Sequence, residues 1–301
     1  MAEMIITARR LVAEPSWQRL AAFLVIAMLA VAAGISIAEA TSSSPAVGAA
    51  LAATLFTALA TGAGALPVLF VRRISDAARD SLLGFGAGVM LAASFFSLLA
   101  PALDTGAATA GSALGGVMIV AAGVIIGAAV LMTSDRWLPH EHFIKGREGG
   151  REGMPVRTAA GLWLFVTAIT LHNIPEGLAV GVAQGSSGGA AITLGIAIQN
   201  MPEGLIVAIA LVALGISRWK AAALALATGM AEPLGGLIGA SAISYAAAML
   251  PWGLAFAAGA MLFVISHEII PETHRNGNER VATIGLIGGF VLMMLFDTIL
   301  R

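Results

Sequence analysis

The chain has 301 residues, 58% hydrophobic and 11% charged, with a mean hydropathy of +0.92. Soluble globular proteins carry about 25% charged residues, so this composition excludes an ordinary aqueous fold and makes the lipid bilayer a partner. A net charge of −1 gives no electrostatic case for nucleic acid, and the lack of cysteine removes disulfides and thiolate metal sites.

Arg9, Arg10 and Arg19 precede an apolar run from Leu20 to Ala38. The string Ala38-Glu39-Ala40, followed by Thr41 to Ser44, mimics a signal-peptidase site. The run, at about 18 residues, is longer than the roughly 7–15 of a signal-peptide apolar region and long enough to span. A retained extra helix is therefore expected, with a cleaved signal peptide as the alternative. Either choice puts the chain just beyond Ala40 on the outer side.

Eight further apolar runs come after it, at approximately 46–71, 81–103, 112–133, 158–184, 190–214, 221–248, 251–271 and 281–300. Each reaches the ~20 residues that a bilayer demands, which predicts an all-α polytopic membrane protein. Lys and Arg fall in alternate connections: the N-terminus, 72–80, 134–157, 215–220 and 272–280 hold all of them except Arg301. The positive-inside rule then puts the N-terminus in the cytoplasm and the C-terminus outside. The connection 134–157, rich in Gly and mixed charge, reads as a flexible cytoplasmic loop.

Carboxylates lie inside the apolar runs and basic residues do not. Leu171 to Val180 reads LHNIPEGLAV and is echoed by IQNMPEGLIV, Ile198 to Val207. His172 and Glu176 are spaced i, i+4 and share a helical face; Gln199 and Glu203 repeat the spacing. Asn173 and Asn200 each precede their Glu by three residues. Pro175 and Pro202 free the carbonyls of Leu171 and Ile198, so broken helices lining a cavity are expected. Met230-Ala231-Glu232-Pro233 adds a third intramembrane Glu. Ionisable groups at this depth mark ion or substrate pathways. One imidazole, three carboxylates and amide oxygens suit Zn²⁺, Fe²⁺, Mn²⁺ or Cd²⁺ better than Cu⁺.

HNIPEG, QNMPEG, MEP and later HEIIPETHRNG resemble the ZIP (Zrt/Irt-like) family of divalent metal transporters, its prokaryotic GufA-like branch most of all. The resemblance covers roughly residues 46–301 and implies a transport domain there. It implies an eight-helix core of 3+2+3 organisation with inverted repeats, to which residues 1–45 add a cytoplasmic segment and the extra helix or signal peptide. The implied transport site is His172, Asn173, Glu176, Gln199, Asn200, Glu203 and Glu232, with Glu176 and Glu203 bridging two metal positions. Met90 matches a Met that completes the first position. Some members have Asp where this chain has Asn200, so the second position is expected to be weaker.

The resemblance also implies a candidate metal exit at the cytoplasmic side, from Asp135, His140 and His142 with His267 and Glu268. Asp104 and Asp297 are candidates for an entrance at the outer face. The expected function is metal import into the cytoplasm by alternating access, in a bacterial inner membrane, by a homodimer. The metal is then substrate, no cofactor is required and the protein is not an enzyme. The alternatives are an intramembrane metal-dependent hydrolase and an ion-coupled carrier of another solute. Against the hydrolase, His267-Glu268 is not followed by the second His of H-E-x-x-H, and catalytic zinc usually takes two or three His.

Overall fold

A computed structural model describes residues 45–71, 74–137, 159–274 and 276–300. The expected extra helix or signal peptide and most of the 134–157 loop, with His140 and His142, lie outside the described residues. Among the described residues all regular structure is helical. Eight helices are long and apolar enough to cross a membrane. They are α1 (Pro45–Leu69), α2 (Asp76–Ala110), α3 (Ala113–Trp137), α4 (Ala159–Ala183), α5 (Gly189–Ala213), α6 (Arg218–Tyr245), α7 (Leu250–Thr273) and α8 (Glu279–Leu300). Each corresponds to one of the eight runs expected after residue 45.

Local chemistry sets the helix ends. Ser75 Oγ accepts the Ala78 N–H at 3.2 Å and starts α2, while Ser112 Oγ accepts the Gly115 N–H at 3.1 Å and starts α3. Gly111, at φ +68°, makes the left-handed turn between them.

Small residues decide which helices pair. Lipid tails are as apolar as Leu, so helices associate through close packing rather than hydrophobic exclusion. α4 packs on α6, where a Cβ at Gly177 would lie 2.0 Å from the Glu232 carbonyl oxygen and one at Gly235 2.2 Å from that of Ile174. α1 packs on α5 in the same manner, Gly204 against Thr61 O and Gly64 against Met201 O, both at 2.0 Å. α2 and α8 meet through Gly88 and Gly289, and α3 and α7 through Gly127 and Gly259. These four contacts form two related pairs: α4–α6 mirrors α5–α1, and α2–α8 mirrors α7–α3. Glu176 thereby corresponds to Glu203, and Glu232 to Thr61. This is the arrangement expected of inverted three-helix repeats around a central pair.

Three helices depart from regularity, and not the ones expected. α4 and α5 run continuously through Pro175 and Pro202, which corrects the expectation of broken helices there. A lone Pro removes one N–H, and backbone packing on both sides holds the turns together. The break falls instead in α6, at Met230–Ala231, so that Glu232 opens a fresh helix with Pro233 in its first turn. α2 and α7 each contain a π-turn, Ala93–Leu99 and Ile265–Ile269, followed by Pro101 and Pro271. Each Pro lacks the N–H that the carbonyl four residues earlier would accept, and a wider turn absorbs the missing bond.

Candidate metal centre

α4, α5 and the break in α6 bring the paired motifs together. Single ligand atoms of His172, Glu176 and Glu203 all lie within 4.8 Å of one another. Metal–ligand bonds of about 2.0–2.2 Å leave donor atoms at most roughly 4.4 Å apart, so small side-chain movements would close the three on one ion. His172 Nε2 lies 3.8 Å from Glu176 Oε1. Met90, on α2, is fully buried and lines a cavity of about 60 Å³ beside His172, Gln199 and Glu203. One water needs about 10–15 Å³ of such space, so this cavity takes several. Leu82, Leu83 and Glu272 extend it toward the end of the bundle where α2 begins and α7 ends.

The amides are not equivalent. Gln199 Nε2 donates to Glu176 Oε1 and, at 3.1 Å, to Asn200 Oδ1. Asn200 Nδ2 donates to Glu232 Oε1 at 2.8 Å and to the Thr57 carbonyl at 3.0 Å. Thr61 Oγ1 is 3.5 Å from the same Glu232 oxygen. Asn173 is buried with neither amide atom hydrogen-bonded, and Glu176 Oε2, Glu203 Oε1 and Glu232 Oε2 are likewise without partners. Leaving a buried polar group unsatisfied costs about 1–3 kcal/mol, more if it is charged. Four of these atoms, Asn173 Oδ1 and one oxygen each of Glu176, Glu203 and Glu232, are of a kind that can ligate a cation.

The other expected site residues divide. Glu268 stands beside the central cluster: its Oε2 lies 3.5 Å from His172 Nδ1, and it lines the same cavity. The π-turn in α7 carries it there. His267, its neighbour, stacks on Phe263 with ring centroids 4.9 Å apart. His140 and His142 lie outside the described residues, as does the side chain of Asp135. At the opposite end, Asp104 is exposed. Asp297 is 4% exposed and accepts a hydrogen bond from Ser97 Oγ at 2.8 Å. Close α2–α8 packing beside the π-turn encloses it.

Sequence reasoning missed Thr57 and Thr61, which hold Asn200 and Glu232 from α1. Their spacing with Thr54 on one helical face of an apolar run is the signal that could have found them. It also missed Asp80, fully buried and held by Asn276 and Asn278 from the turn between α7 and α8.

The sequence of this chain matches the ZIP zinc transporter family over residues 139–297. It is 49% identical over 254 residues to the zinc transporter GufA of Myxococcus xanthus, spanning 83% of this chain and 98% of that protein. Identity to the zinc transporter ZIPB of Bordetella bronchiseptica is 44% over 244 residues, 80% of this chain and 78% of that one. The zinc transporter ZIP11 of Homo sapiens is 35% identical over 328 aligned positions, covering 82% and 96% respectively. With the paired helices, the buried carboxylate cluster and these relatives in agreement, the chain belongs to the ZIP zinc transporter family, in its GufA-like prokaryotic branch.

Proposed function

We propose that this chain moves divalent transition-metal cations into the cytoplasm, Zn²⁺ foremost and Cd²⁺, Fe²⁺ or Mn²⁺ as well, by alternating access. The observation that carries the proposal is the convergence of His172, Glu176 and Glu203 on one point inside membrane-spanning helices, with carboxylate oxygens left unpartnered. Asn173, Gln199, Asn200, Glu232 and Met90 complete the donor set. The ion is substrate, and the names of the relatives, zinc transporters throughout, favour zinc.

Each residue has a task in this reading. Glu176 and Glu203, equivalent across the two repeats, supply the charge that replaces the ion's hydration shell. His172 supplies the nitrogen that favours transition metals over Mg²⁺ or Ca²⁺. Met90, from α2, adds a soft thioether. The cavity beside the site, extending past Glu268 and Glu272, gives a hydrated route to one membrane face. The alternation of Lys and Arg makes that face cytoplasmic, with the N-terminus inside and the C-terminus outside a bacterial inner membrane. The chain functions as a homodimer, with a transport domain at 46–301 and a cytoplasmic loop at 134–157.

The test is Zn²⁺ or Cd²⁺ uptake into proteoliposomes. Glu176→Ala and Glu203→Ala are each expected to leave folded protein in the membrane and abolish uptake. Unchanged uptake in both variants would sink the pathway. Cleavage or lipid turnover by the pure protein, without metal flux, would favour a hydrolase instead.

A further inference from the structure

His172 is placed between two carboxylates on two helices. Its Nε2 faces Glu176, at 3.8 Å on the same helix, and its Nδ1 faces Glu268 Oε2 on α7 at 3.5 Å. An imidazole that binds a metal through one nitrogen usually donates through the other, and the acceptor of that bond fixes both the tautomer and the ring orientation. Glu268 stands at the acceptor position. The 3.5 Å separation is long for a hydrogen bond, as such contacts often are before a ligand draws the groups together.

The helix carrying Glu268 is not one that builds the rest of the site. α4 is locked to α6 by backbone contact at Gly177, while α7 is locked to α3 at Gly259. Where α7 meets α4 the contact is softer: a Cβ at Gly253 would first meet the Val182 methyls, at 3.1 and 3.4 Å. A displacement of the α4 pair against the α7 pair would therefore separate Glu268 from His172 while His172 and Glu176 stay together on α4.

We infer that Glu268 is a positioning residue for the metal site: it accepts the Nδ1–H of His172 across the α4–α7 interface and so aims Nε2 at the ion. This inference rests on the reading of His172 as a metal ligand, and goes beyond it by giving the imidazole an orienting partner on the other helix pair. The strength of the site then depends on the relative position of α4 and α7, because moving them apart withdraws the acceptor.

A double-mutant cycle with Cd²⁺ as probe tests it. Equilibrium Cd²⁺ binding by the purified full chain is measured alongside the KM and maximal rate of uptake. Glu268→Ala is expected to weaken binding about 10–100-fold and to raise KM more than it lowers the maximal rate. Glu268→Gln keeps an acceptor oxygen and is expected to recover most of the affinity, with an unchanged thermal midpoint as the folding control. In a His172→Ala background, Glu268→Ala is expected to have no further effect. A Gln variant as weak as the Ala variant, or a full Glu268→Ala effect in the His172→Ala background, would make Glu268 a direct ligand and overturn the inference. So would normal affinity in Glu268→Ala. Normal Cd²⁺ affinity in His172→Ala alone would overturn the metal-site reading together with it, and is distinguishable from failure of the Glu268 role.

Discussion

Asn200→Asp exchanges an amide that is fully used for a carboxylate that is not. In the protein as it stands, Asn200 Nδ2 donates to Glu232 Oε1 at 2.8 Å and to the Thr57 carbonyl at 3.0 Å. Aspartate removes both donors and sets an oxygen against two oxygens. Losing the bond to the Thr57 carbonyl costs about 0.5–1.5 kcal/mol and losing the one to the Glu232 carboxylate about 1.5–3 kcal/mol, so metal-free Asn200→Asp should be destabilised by roughly 2–4.5 kcal/mol. A divalent ion would reverse the sign locally, because its charge would offset the repulsion between the new carboxylate and Glu232. At a Cd²⁺ concentration about 100 times Kd the ion returns about 2.7 kcal/mol, and a second filled position adds to that. The assay is thermal unfolding of the purified protein in detergent, with chelator and with excess Cd²⁺. The expected result is a lower midpoint than the parent in chelator, and a larger Cd²⁺-induced rise than the parent shows. A variant that matches the parent in chelator, or that gains no more from Cd²⁺, would refute the argument that the Asn200 amide occupies the second position.

Gly177→Leu drives a side chain into the Glu232 backbone, whose carbonyl oxygen would lie 2.0 Å from the new Cβ; the expected outcome is loss of folded protein, read by size-exclusion chromatography, while Gly48→Leu, with nothing within 4 Å of its Cβ, serves as the tolerated control. Asp80→Ala leaves the Asn276 and Asn278 amides without their buried acceptor, so the α7–α8 turn should be cut faster in limited proteolysis and stability should fall by about 1–3 kcal/mol. Met90→Ala removes the soft donor, and competition uptake should show Cd²⁺ losing more than Zn²⁺. Lowering the pH should weaken Cd²⁺ binding, because the imidazole and carboxylates must give up protons to bind metal; affinity that rises on acidification would contradict this ligand set.

How far the sequence disclosed this depends on the range of the forces involved. The eight spans follow from the length of apolar runs, because a bilayer imposes one thickness on every helix. The motif faces were equally legible: i, i+4 spacing puts His172 beside Glu176 wherever α4 ends up. Positions set by contact between helices were not legible. Glu268 reads as the end of an apolar run, and only the π-turn over Ile265–Ile269 and the packing of α7 turn it toward His172. Asp297 reads as a carboxylate near a helix end, yet Ser97 lies far away in sequence and closes on it through the α2–α8 contact. The prolines misled because the rule for an isolated helix ignores the neighbours: Pro175 and Pro202 sit in helices held by glycine contacts on either side, while the chain breaks at Met230–Ala231.

The two repeats supply nearly the same framework and an unequal set of donors. Glu176 and Glu203 are equivalent, but His172 corresponds to Gln199, and Glu232 corresponds to Thr61. Asn173 and Asn200 are the same residue at equivalent positions in opposite circumstances: Asn200 donates to Glu232 and Thr57, whereas Asn173 has no partner. The difference follows from the Thr61–Glu232 exchange, since only the α6 copy offers Asn200 a carboxylate. On the proposed reading, an ion beside Glu232 would find Oε1 already held by Asn200 and only Oε2 open, while one beside His172 would meet open oxygens on both Glu176 and Glu203. The inverted repeat thus sets a carboxylate-rich place with open oxygens beside His172 against one where the Asn200 amide already holds a Glu232 oxygen.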